Sequence, residues 1–547
     1  MKKSILLCII LFFAAGFGIF PFFSPGIPIT HDGVDHTARI ANFYQSLTDG
    51  NIVPRWAGNL NWGYGHPILM FLYPLSSYVA SFFHSLGFSF IDSVKIIFVL
   101  GFLGSGLTMF LWAQSFLSLE SGIVAAFLYM FASYRFVDLY VRGALGEHVA
   151  FVFAPLVLYF SQKLVKNNTL SILVFGSFSL AFLILSHNAI SLMFFPFIVI
   201  YMTLLILHSK KKQQIIQSFV ILLVLGLGLS AFFWVPAYFE GKYTHRDILT
   251  YGRYRESFSS FSRFISSPWS FEGIGKLSVE VGKVQWFVVF LGFGAIRYLF
   301  KNKKNFLGRV LIICLITFWL TIFFMTSSSD FIWEKITVLQ KFQFTWRLLT
   351  LSVFSASICG AIITQLIPKK IKKLFIATLV VLLLIFNKDY IRANGYISKP
   401  DSFFSGIYFG TTDTGESSPI WSVSYMKEIP DAHLAVIGGE SKVIELKRLS
   451  TRHVYKVSAK TKTQLRENTL YFPGWNILVD NKKVPIEYQA RNNMGVMTFF
   501  LPKGEHTVIV QFTETKLRIV ADSISGLTFL VVVIFIMKRF LSCIYRK

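Results

Sequence analysis

Apolar runs of about twenty residues recur along the whole chain, and short polar segments separate them. Thirteen such runs are visible, at residues 4–23, 67–87, 93–116, 121–137, 148–165, 170–186, 190–208, 215–238, 284–300, 308–325, 346–367, 374–387 and 519–537. An α-helix needs a run of this length to cross the hydrocarbon core of a bilayer, which is about 30 Å thick. The pattern therefore predicts a polytopic α-helical membrane protein.

Basic residues cluster in short segments beside these runs, at residues 2–3, 210–212, 301–304, 369–373 and 538–547. Lysine and arginine are retained on the cytoplasmic side of a membrane, so both chain ends are predicted to be cytoplasmic. An odd number of crossings would separate the two ends, so one run does not span. The best exclusion is 67–87, because Pro67, Pro74 and His84 suit an interfacial or re-entrant helix. Twelve transmembrane helices remain.

With twelve spans, the segments 24–66, 138–147, 187–188, 239–283, 326–345 and 388–518 face outward. The last segment is the largest polar one, and it contains short alternating runs that are typical of strands. These predicted strands are 443–446, 454–457, 475–479, 484–488 and 507–512, with a turn at Asp480-Asn481. We therefore predict a transmembrane domain at 1–387 with an outer loop at 24–92, an extracytoplasmic β-sandwich domain at 388–518, and a final helix with a basic cytoplasmic tail at 519–547.

Composition narrows the class of protein further. The chain is 54% hydrophobic and only 15% charged, whereas a soluble domain has about 25% charged residues. The net charge of +25 lies in loops between apolar runs and forms no basic stripe on a soluble surface, which excludes nucleic acid as a partner. All four cysteines lie in apolar runs without disulfide or zinc spacing. Residues 1–23 are interpreted as an uncleaved first helix, since no clear cleavage site follows. Abundant lysine and phenylalanine suit a bacterial plasma membrane.

Candidate chemistry begins directly after the first apolar run, at residues 30–39. A helix starting near Gly33 would place Asp32, Asp35, His36 and Arg39 along one face, through the three- and four-residue spacing. Two carboxylates, an imidazole and a guanidinium would then share one side of a short helix at the membrane surface. Such a cluster can take a proton from a hydroxyl group and hold an anion beside it. In the alternative interpretation, Asp32 caps the helix and Asp35 completes a capping box.

Further polar groups are predicted on the same side of the membrane. Arginines there run against the positive-inside rule, and the guanidinium fork matches a phosphate group. These arginines are Arg142, Arg347, Arg246, Arg253, Arg255 and Arg263. Glu147 and His187 stand at helix ends on that side, where they could also serve only the helix dipole or the helix terminus. The polar groups lie at a membrane rim, whereas a transporter site is expected near the bilayer midplane.

Several motifs together resemble a known family. They are Thr30-His31-Asp32 with His36 and Arg39, Pro54-Arg55-Trp56, Gly63 to Pro67, Phe71 to Leu75, Arg142-Gly143-Ala144 with Glu147, Gln343 to Arg347, Leu470 to Trp475 with Val479-Asp480, and Leu501 to His506. This set resembles the bacterial membrane proteins labelled 6-pyruvoyl-tetrahydropterin-synthase-related, whose relatives are the YfhO-like members of the GT-C glycosyltransferase superfamily. One departure is Thr345, where proline is usual. Nothing in the chain resembles a soluble, zinc-dependent pterin enzyme.

The resemblance implies a GT-C-like enzyme that takes a sugar from a polyprenyl-phosphate carrier. Enzymes of this superfamily keep an essential acid in the first outer loop, a position that Asp32 occupies here, with Asp35 as the second choice. They often pair it with another acid, for which Glu147 is the candidate. The hypothesis is inverting sugar transfer with Asp32 as general base and His36 orienting the acceptor or relaying its proton. The substrate-binding residues would be Arg39, Arg55, Arg142, Glu147, His187 and Arg347.

Several alternatives stay open from the sequence. Asp32, Asp35, His36 and Glu147 could bind a divalent cation such as Mg²⁺ or Mn²⁺. The chain could be a transporter or flippase for lipid-linked saccharides, or a non-catalytic envelope-assembly protein. If the carrier is of the undecaprenyl type, the acceptor could be a lipoteichoic-acid-like polymer, another envelope glycan or a protein.

Overall fold

A computed structural model of the chain describes residues 15–544. The start of the predicted first helix at 4–23, the basic pair at 2–3, Cys8 and the last three residues lie outside this range. The described helices are α1 (Gly33–Thr48), α2 (Ile68–Phe71), α3 (Leu75–Ser85), α4 (Phe90–Gln114), α5 (Leu119–Met130), α6 (Ser133–Val137), α7 (Leu145–Lys166), α8 (Leu170–Ser186), α9 (Asn188–His208), α10 (Lys212–Leu229), α11 (Ala231–Phe239), α12 (Arg246–Leu249), α13 (Phe261–Ile265), α14 (Lys283–Lys301), α15 (Asn305–Phe324), α16 (Asp330–Lys335), α17 (Thr337–Gln340), α18 (Leu349–Leu366), α19 (Lys369–Asn387), α20 (Asp401–Ser405) and α21 (Lys516–Ile544).

Eight helices in the described range are long and apolar enough to cross a membrane, namely α4, α7, α9, α10, α14, α15, α18 and α21. A ninth crossing arises if α5 and the segment Ser133–Arg142, which are bent by 45° at a short break, form one span. The chain is therefore a polytopic helical membrane protein. The predicted number of twelve stays a prediction, because α8 has only 17 residues and α19 carries four lysines in its first turns.

The helical bundle is organised around α18. Buried residues make up 94% of the span that contains it, and it packs against α5, α14 and α15. A helix that is apolar on all sides belongs in the centre of a bundle, where every face meets another helix. The run at 67–87 forms only the short helices α2 and α3, with a break at Leu72 to Pro74. Neither helix is long enough to cross a bilayer, which agrees with the exclusion of this run from the spans.

A C-terminal β-sheet domain follows the bundle. Its strands are β3 (Leu434–Gly438), β4 (Ser441–Leu449), β5 (Arg452–Ala459), β6 (Thr463–Leu470), β7 (Trp475–Val479), β8 (Lys482–Val484), β9 (Val496–Leu501) and β10 (Gly504–Phe512), after a short pair of β1 (Ile27–Pro28) with β2 (Tyr396–Ile397). One sheet has the order β4-β5-β10-β7-β8 and the other β3-β6-β9, with antiparallel neighbours throughout.

The hairpin between β7 and β8 tests one detail of the sequence analysis. Asp480 and Asn481 have φ values of +50° and +65°, as the favoured two-residue hairpin turn requires. The predicted turn is therefore confirmed. The predicted strand at 484–488 is wrong, because β8 covers Lys482–Val484 and Pro485 lacks the N–H group that would continue the ladder.

The β-sheet domain is joined to the bundle by aromatic contacts and buried ion pairs. The Trp56 ring meets the Trp475 ring edge-on, with centroids 5.3 Å apart. At the start of α21, the Arg518 guanidinium lies 2.8 Å from the Glu240 carboxylate, with side-chain exposures of 0% and 4%. Arg518 also donates to the Pro473 carbonyl oxygen of the β-sheet domain at 2.6 Å, so the two parts share a buried interface.

We expect Glu240→Gln to destabilise the fold by about 3 kcal/mol, because it leaves the Arg518 guanidinium buried without its full counter-charge. Denaturation in detergent, followed by intrinsic fluorescence, measures this loss. The matched control is Glu272→Gln, which breaks an exposed pair with Lys276 at 2.5 Å and should cost no more than about 1 kcal/mol. Equal effects of the two substitutions would contradict a buried role for the Arg518 pair.

Candidate active site

Asp32 stands at the corner where the chain enters α1. The cap at this corner comes from Thr30, whose Oγ1 accepts a hydrogen bond from the Gly33 N–H at 3.1 Å. The Asp32 side chain makes no capping hydrogen bond. The alternative interpretation of Asp32 as the helix cap is therefore wrong, because a neighbouring hydroxyl already satisfies the free N–H group. The Asp32 carboxylate remains available to the cavity beside it.

The corner is held against a π-helical turn, Asp138–Arg142. The backbone N–H groups of His31 and Asp32 donate to the carbonyl oxygens of Val141 and Arg142, both at 2.9 Å. Gly143 ends the turn with φ +65°, and a Cβ there would lie 2.3 Å from Thr30 Oγ1. Only glycine allows both this conformation and this approach. π-Helical turns often occur at functional sites, and here the turn fixes the backbone of Asp32.

A cavity of about 380 Å³ lies beside the corner. Six of the predicted site residues line it, namely Asp32, Asp35, His36, Arg39, His187 and Arg347. The three acidic and basic side chains of α1 follow the predicted spacing and share the face that meets the cavity. The segment 67–87 adds Tyr73 to the lining, and the loop 239–283 adds Arg246. The structure thus brings together residues from five separate parts of the chain.

The two carboxylates at the start of α1 differ in their surroundings. Burial raises the pKa of Asp32, although the positive charges of Arg142 and Arg39 oppose that rise. Within residues 15–544 no hydrogen bond to the Asp32 side chain is found. Asp35 instead accepts a 2.6 Å hydrogen bond from the Tyr408 hydroxyl group. Of the two acids, Asp32 is the one whose oxygens are free to accept a proton.

His36 is held in one orientation by its neighbour on α1. The Arg39 guanidinium donates to His36 Nδ1 at 3.0 Å. Burial, followed by the charge of Arg39, lowers the pKa of His36 well below its usual range. The ring is therefore neutral with its proton on Nε2, which is buried and has no partner in the described part of the chain. His36 is therefore a cavity-lining residue that carries one unpartnered hydrogen-bond donor.

Arg142 and Glu147 lie behind the cavity and do not line it. The Arg142 guanidinium donates to Asp138 at 2.6 Å and to Glu147 at 2.8 Å. Glu147 also accepts hydrogen bonds from Tyr134 at 2.6 Å and Thr350 at 2.8 Å. In this structure the two residues thus form a buried network behind the cavity, and the substrate contact predicted for them stays a prediction.

The structure does not bring Arg55 to the cavity. Its guanidinium contacts Glu514 at 3.0 Å and Asp522 at 2.5 Å, at the start of α21. The predicted substrate-binding role of Arg55 is therefore replaced by a structural one. The motif that contains Arg55 is close to Asp32 in sequence, but the chain turns away from the cavity before reaching it.

Cationic side chains gather at the other end of the cavity. Arg347 donates to the Phe342 carbonyl oxygen at 2.8 Å and to Gln343 Oε1 at 3.0 Å, while its buried Nε has no partner in the range 15–544. Arg246 and Lys341 complete this group. The sequence pattern indicated Arg246 only as one of several arginines on the outer side. No feature of the sequence marked Lys341 as a candidate site residue. Burial and the charge of Arg347 lower the pKa of His187 beside them to about 3, so His187 is neutral.

An apolar groove of about 300 Å³ continues from this cationic end. It runs between α8, α9, α10 and α11, and its apolar lining consists of Leu180, Ile184, Leu192, Phe195, Leu227, Trp234, Ala237, Tyr238 and Phe342. Arg246 and Lys341 line both the groove and the cavity. The apolar groove and the polar cavity are therefore adjacent, and the two cations belong to the lining of both.

A segment that precedes the β-sheet domain, residues 406–425 and here called the strap, forms one wall of the cavity. Thr412, Asp413, Glu416 and Ser417 line it. The Arg39 Nε donates to Thr412 Oγ1 at 3.2 Å, and another Arg39 nitrogen donates to the Thr412 carbonyl oxygen. The sequence analysis missed these residues because they lie almost four hundred positions from Asp32, and no local pattern links the two regions.

The residues considered as ligands of Mg²⁺ or Mn²⁺ do not fit such a site. Among the described residues, no group of three or more His, Cys, Asp or Glu side chains could hold a metal ion. Glu147 lies behind the cavity that Asp32, Asp35 and His36 line, and His36 Nδ1 accepts a hydrogen bond from Arg39. No step of the chemistry below is assigned to a metal ion.

The sequence profile of one protein family matches residues 69–392, which is more than half of the chain. That family is described as "6-pyruvoyl-tetrahydropterin synthase related domain; membrane protein", and the match confirms the family predicted from the motifs. An uncharacterized protein of Lactococcus lactis subsp. cremoris (strain MG1363) is 26% identical over 264 residues, which cover 47% of this chain and 42% of that protein. The matched part is thus less than half of that relative's length.

Two solved structures have similar helix arrangements. The arabinofuranosyltransferase AftD from mycobacteria gives a TM-score of 0.44 at 13% identity, covering 74% of this chain and 28% of that protein. The oligosaccharyltransferase of Archaeoglobus fulgidus gives 0.45 at 10% identity, covering 76% and 61%. Both TM-scores lie below 0.5 and both identities below 25%, so no property of either protein is assigned to this chain.

The raised pKa of Asp32 gives a prediction for stability. Because its folded-state pKa lies above the unfolded value, the stability linked to its protonation is present at low pH and is lost as the pH rises through the folded-state pKa. At pH 8 we expect Asp32→Asn to raise the unfolding temperature in detergent, since it removes a buried charge. The gain should disappear as the pH falls toward 4. A loss of stability at pH 8 would contradict this account.

Proposed function

The chain belongs to the family of membrane proteins described as 6-pyruvoyl-tetrahydropterin synthase related, and we propose that it is a glycosyltransferase. It would move a sugar from a polyprenyl-phosphate carrier to an acceptor of the cell envelope, on the extracytoplasmic side of a bacterial plasma membrane. The observation that carries the proposal is that an apolar groove adjoins a polar cavity containing Asp32, with Arg246 and Lys341 in the lining of both. This arrangement matches the order of chemical groups in a lipid-phosphate sugar.

The donor would lie across the groove and the cavity. An isoprenoid chain suits the apolar groove between α8 and α11. Burying its hydrocarbon surface there would contribute about 25 cal/mol of binding free energy per Å². The phosphate would then meet Arg246 and Lys341, which line both groove and cavity, with Arg347 beyond them. Forked guanidinium donors match phosphate oxygens. The sugar would enter the polar cavity, with its anomeric carbon directed toward Asp32.

The proposed reaction is an inverting displacement. Asp32 takes the proton of the acceptor hydroxyl group, and the acceptor oxygen forms a bond to the anomeric carbon. The bond from that carbon to the phosphate oxygen breaks, and its electron pair leaves with the carrier phosphate. The cations at Arg246, Lys341 and Arg347 stabilise the charge that develops on the leaving group. His36, neutral and protonated on Nε2, would orient an acceptor oxygen as a donor.

The orientation follows from the basic loops. Both termini would be cytoplasmic, because the basic clusters at 2–3 and 538–547 flank the first and last apolar runs. The cavity and the β-sheet domain would then face the envelope. On this side of the membrane the sugar donor would be the lipid carrier and not a nucleotide sugar. An acceptor polymer would reach the cavity from the same side.

We expect Asp32→Asn to lower kcat for sugar transfer by about 10²–10⁴-fold, because a general base contributes about that much. Transfer from polyprenyl-phosphate sugars to envelope glycans in detergent, followed by radiolabel, measures the effect. Asp35→Asn is the matched control, since it keeps an acceptor for Tyr408, and it should cost less than about tenfold. Because Asp32 has a raised pKa, the acid limb of the wild-type rate profile should lie above the ordinary aspartate value of about 3.9.

Detergent removes the two-sided membrane that a flippase requires. A flippase would therefore show no transfer in this assay, with either the wild type or the variants. A non-catalytic assembly protein would show none as well, and in cells its function would survive Asp32→Asn. Either result would overturn the enzyme proposal.

Narrowing the groove should discriminate between carrier lengths. We expect Leu192→Trp to raise KM roughly tenfold for a long-chain donor, because a ring replaces part of the space for the isoprenoid chain. A donor with two isoprene units should be almost unaffected. The control is Leu207→Trp, on the same helix but outside the groove, where the side chain is 59% exposed. Equal changes for both donors would argue against a carrier chain in this groove.

A further inference from the structure

We infer that the strap, residues 406–425, is the acceptor-recognition element, and that it selects a neutral, hydroxyl-rich glycan end over an anionic one. This inference rests on the proposed function and names its acceptor class. The strap contributes Asp413 and Glu416 to the cavity, and it also carries the exposed aromatic rings of Phe409 and Tyr425. Carboxylates and aromatic rings together are the groups that recognise the hydroxyl edge and the apolar face of a sugar.

The strap is held in place by the candidate active site itself. Tyr408 donates to Asp35 at 2.6 Å, and Arg39 donates twice to Thr412. The Asn61 N–H donates to the Gly410 carbonyl oxygen at 2.8 Å. Both side-chain contacts come from the face of α1 that carries Asp32. A group bound by the strap is therefore held in a fixed position relative to the general base, as acceptor positioning requires.

The two acids of the strap are arranged as acceptors of hydrogen bonds. Asp413 is fixed by the N–H groups of Gly415 at 2.9 Å and Ser417 at 3.0 Å. Glu416 accepts from the Thr414 hydroxyl group at 2.6 Å. An ionised carboxylate has about four lone-pair positions, so both acids keep capacity for further donors. Sugar hydroxyl groups supply such donors.

The charge balance of the cavity disfavours an anionic acceptor. Four carboxylates line it, from Asp32, Asp35, Asp413 and Glu416, and four cations, from Arg39, Arg246, Lys341 and Arg347. Two of the three histidines that line the cavity, His36 and His187, have lowered pKa values and are neutral. A bound donor phosphate adds a negative charge. A second anion near Asp413 and Glu416 would then meet net repulsion at short range.

The strap also carries two exposed aromatic side chains, Phe409 and Tyr425. The Phe409 ring stacks on Trp62 with centroids 4.1 Å apart, and Phe409 and Tyr425 are 55% and 45% exposed. The Tyr425 ring packs over Gly415, which has φ +79°, and a Cβ there would lie 2.8 Å from the Ser424 Cβ. Rigid aromatic surfaces offer contact area at a low entropic cost, which suits successive sugar rings of a glycan.

A residue that lines the cavity also carries a donor without a partner in the described part of the chain. His36 is only 5% exposed, and its Nε2 lacks a hydrogen-bond partner within the described residues. Burying an N–H group without a partner costs free energy, so a ligand oxygen is expected to satisfy it. An acceptor glycan lying on the strap would bring hydroxyl oxygens to the cavity that His36 lines.

The test uses phenyl β-glucoside and phenyl β-glucuronide, which differ only in the carboxylate at C6. Binding of each to the full-length protein in detergent is measured by calorimetry, and both are also tried as acceptors. We expect wild type to bind the glucoside at least tenfold more tightly than the glucuronide. The double variant Asp413→Asn with Glu416→Gln should bind the glucoside about tenfold more weakly and lose most of the preference. In transfer, its KM should rise while kcat changes less than threefold.

The control is Glu440→Gln, an exposed acid of the β-sheet domain with a 71% exposed side chain, which should leave both affinities unchanged. Unfolding temperatures of all variants show whether they are folded. Equal binding of the two glycosides by wild type, or unchanged binding by the double variant, would overturn the inference. Glycoside binding that depends on the strap, without any sugar transfer, would support the recognition site and count against the proposed function alone.

Discussion

The ion pairs of Arg142 with Asp138 and Glu147 hold the corner on which the candidate site is built. The side chain of Arg142 is fixed by two carboxylates inside the bundle, and its backbone carbonyl oxygen holds the N–H group of Asp32. Removing charges from water costs several kcal/mol for each ion unless the partners are well placed. Hydrogen bonds from the Tyr134 and Thr350 hydroxyl groups to Glu147 offset part of this penalty.

The residues that hold this corner in place are different from the carboxylate that faces the cavity. Arg142 and Glu147 are paired with each other behind the cavity, whereas Asp32 has no side-chain hydrogen-bond partner in the described part of the chain. A carboxylate that is partly desolvated and unpaired is costly to the fold, and such groups concentrate at functional sites. The hydrogen bonds at this corner therefore fix the backbone of Asp32, while the Asp32 carboxylate lines the cavity without a hydrogen-bond partner in the described part of the chain.

The strap makes the site depend on two distant parts of the chain. Arg39 and Asp35 of α1 contact Thr412 and Tyr408, which come after all but one of the spanning helices. The β-sheet domain is in turn fixed to the bundle through Trp56, Trp475 and the buried pair of Arg518 with Glu240. A rigid interface of this kind keeps the strap at a constant distance from α1.

Local sequence determined much of this protein. The apolar runs predicted the polytopic bundle, prolines and a histidine marked 67–87 as a segment that does not span, and alternation marked the β-sheet domain. The spacing of Asp32, Asp35, His36 and Arg39 placed them correctly on one helix face, because helical geometry depends only on neighbouring residues. Only the tertiary structure moved Arg55 away from the cavity, set Arg142 and Glu147 behind it, and brought Asp413 and Glu416 to it. Ion pairs and contacts between residues hundreds of positions apart are formed by packing, and packing leaves no periodic signal in the chain.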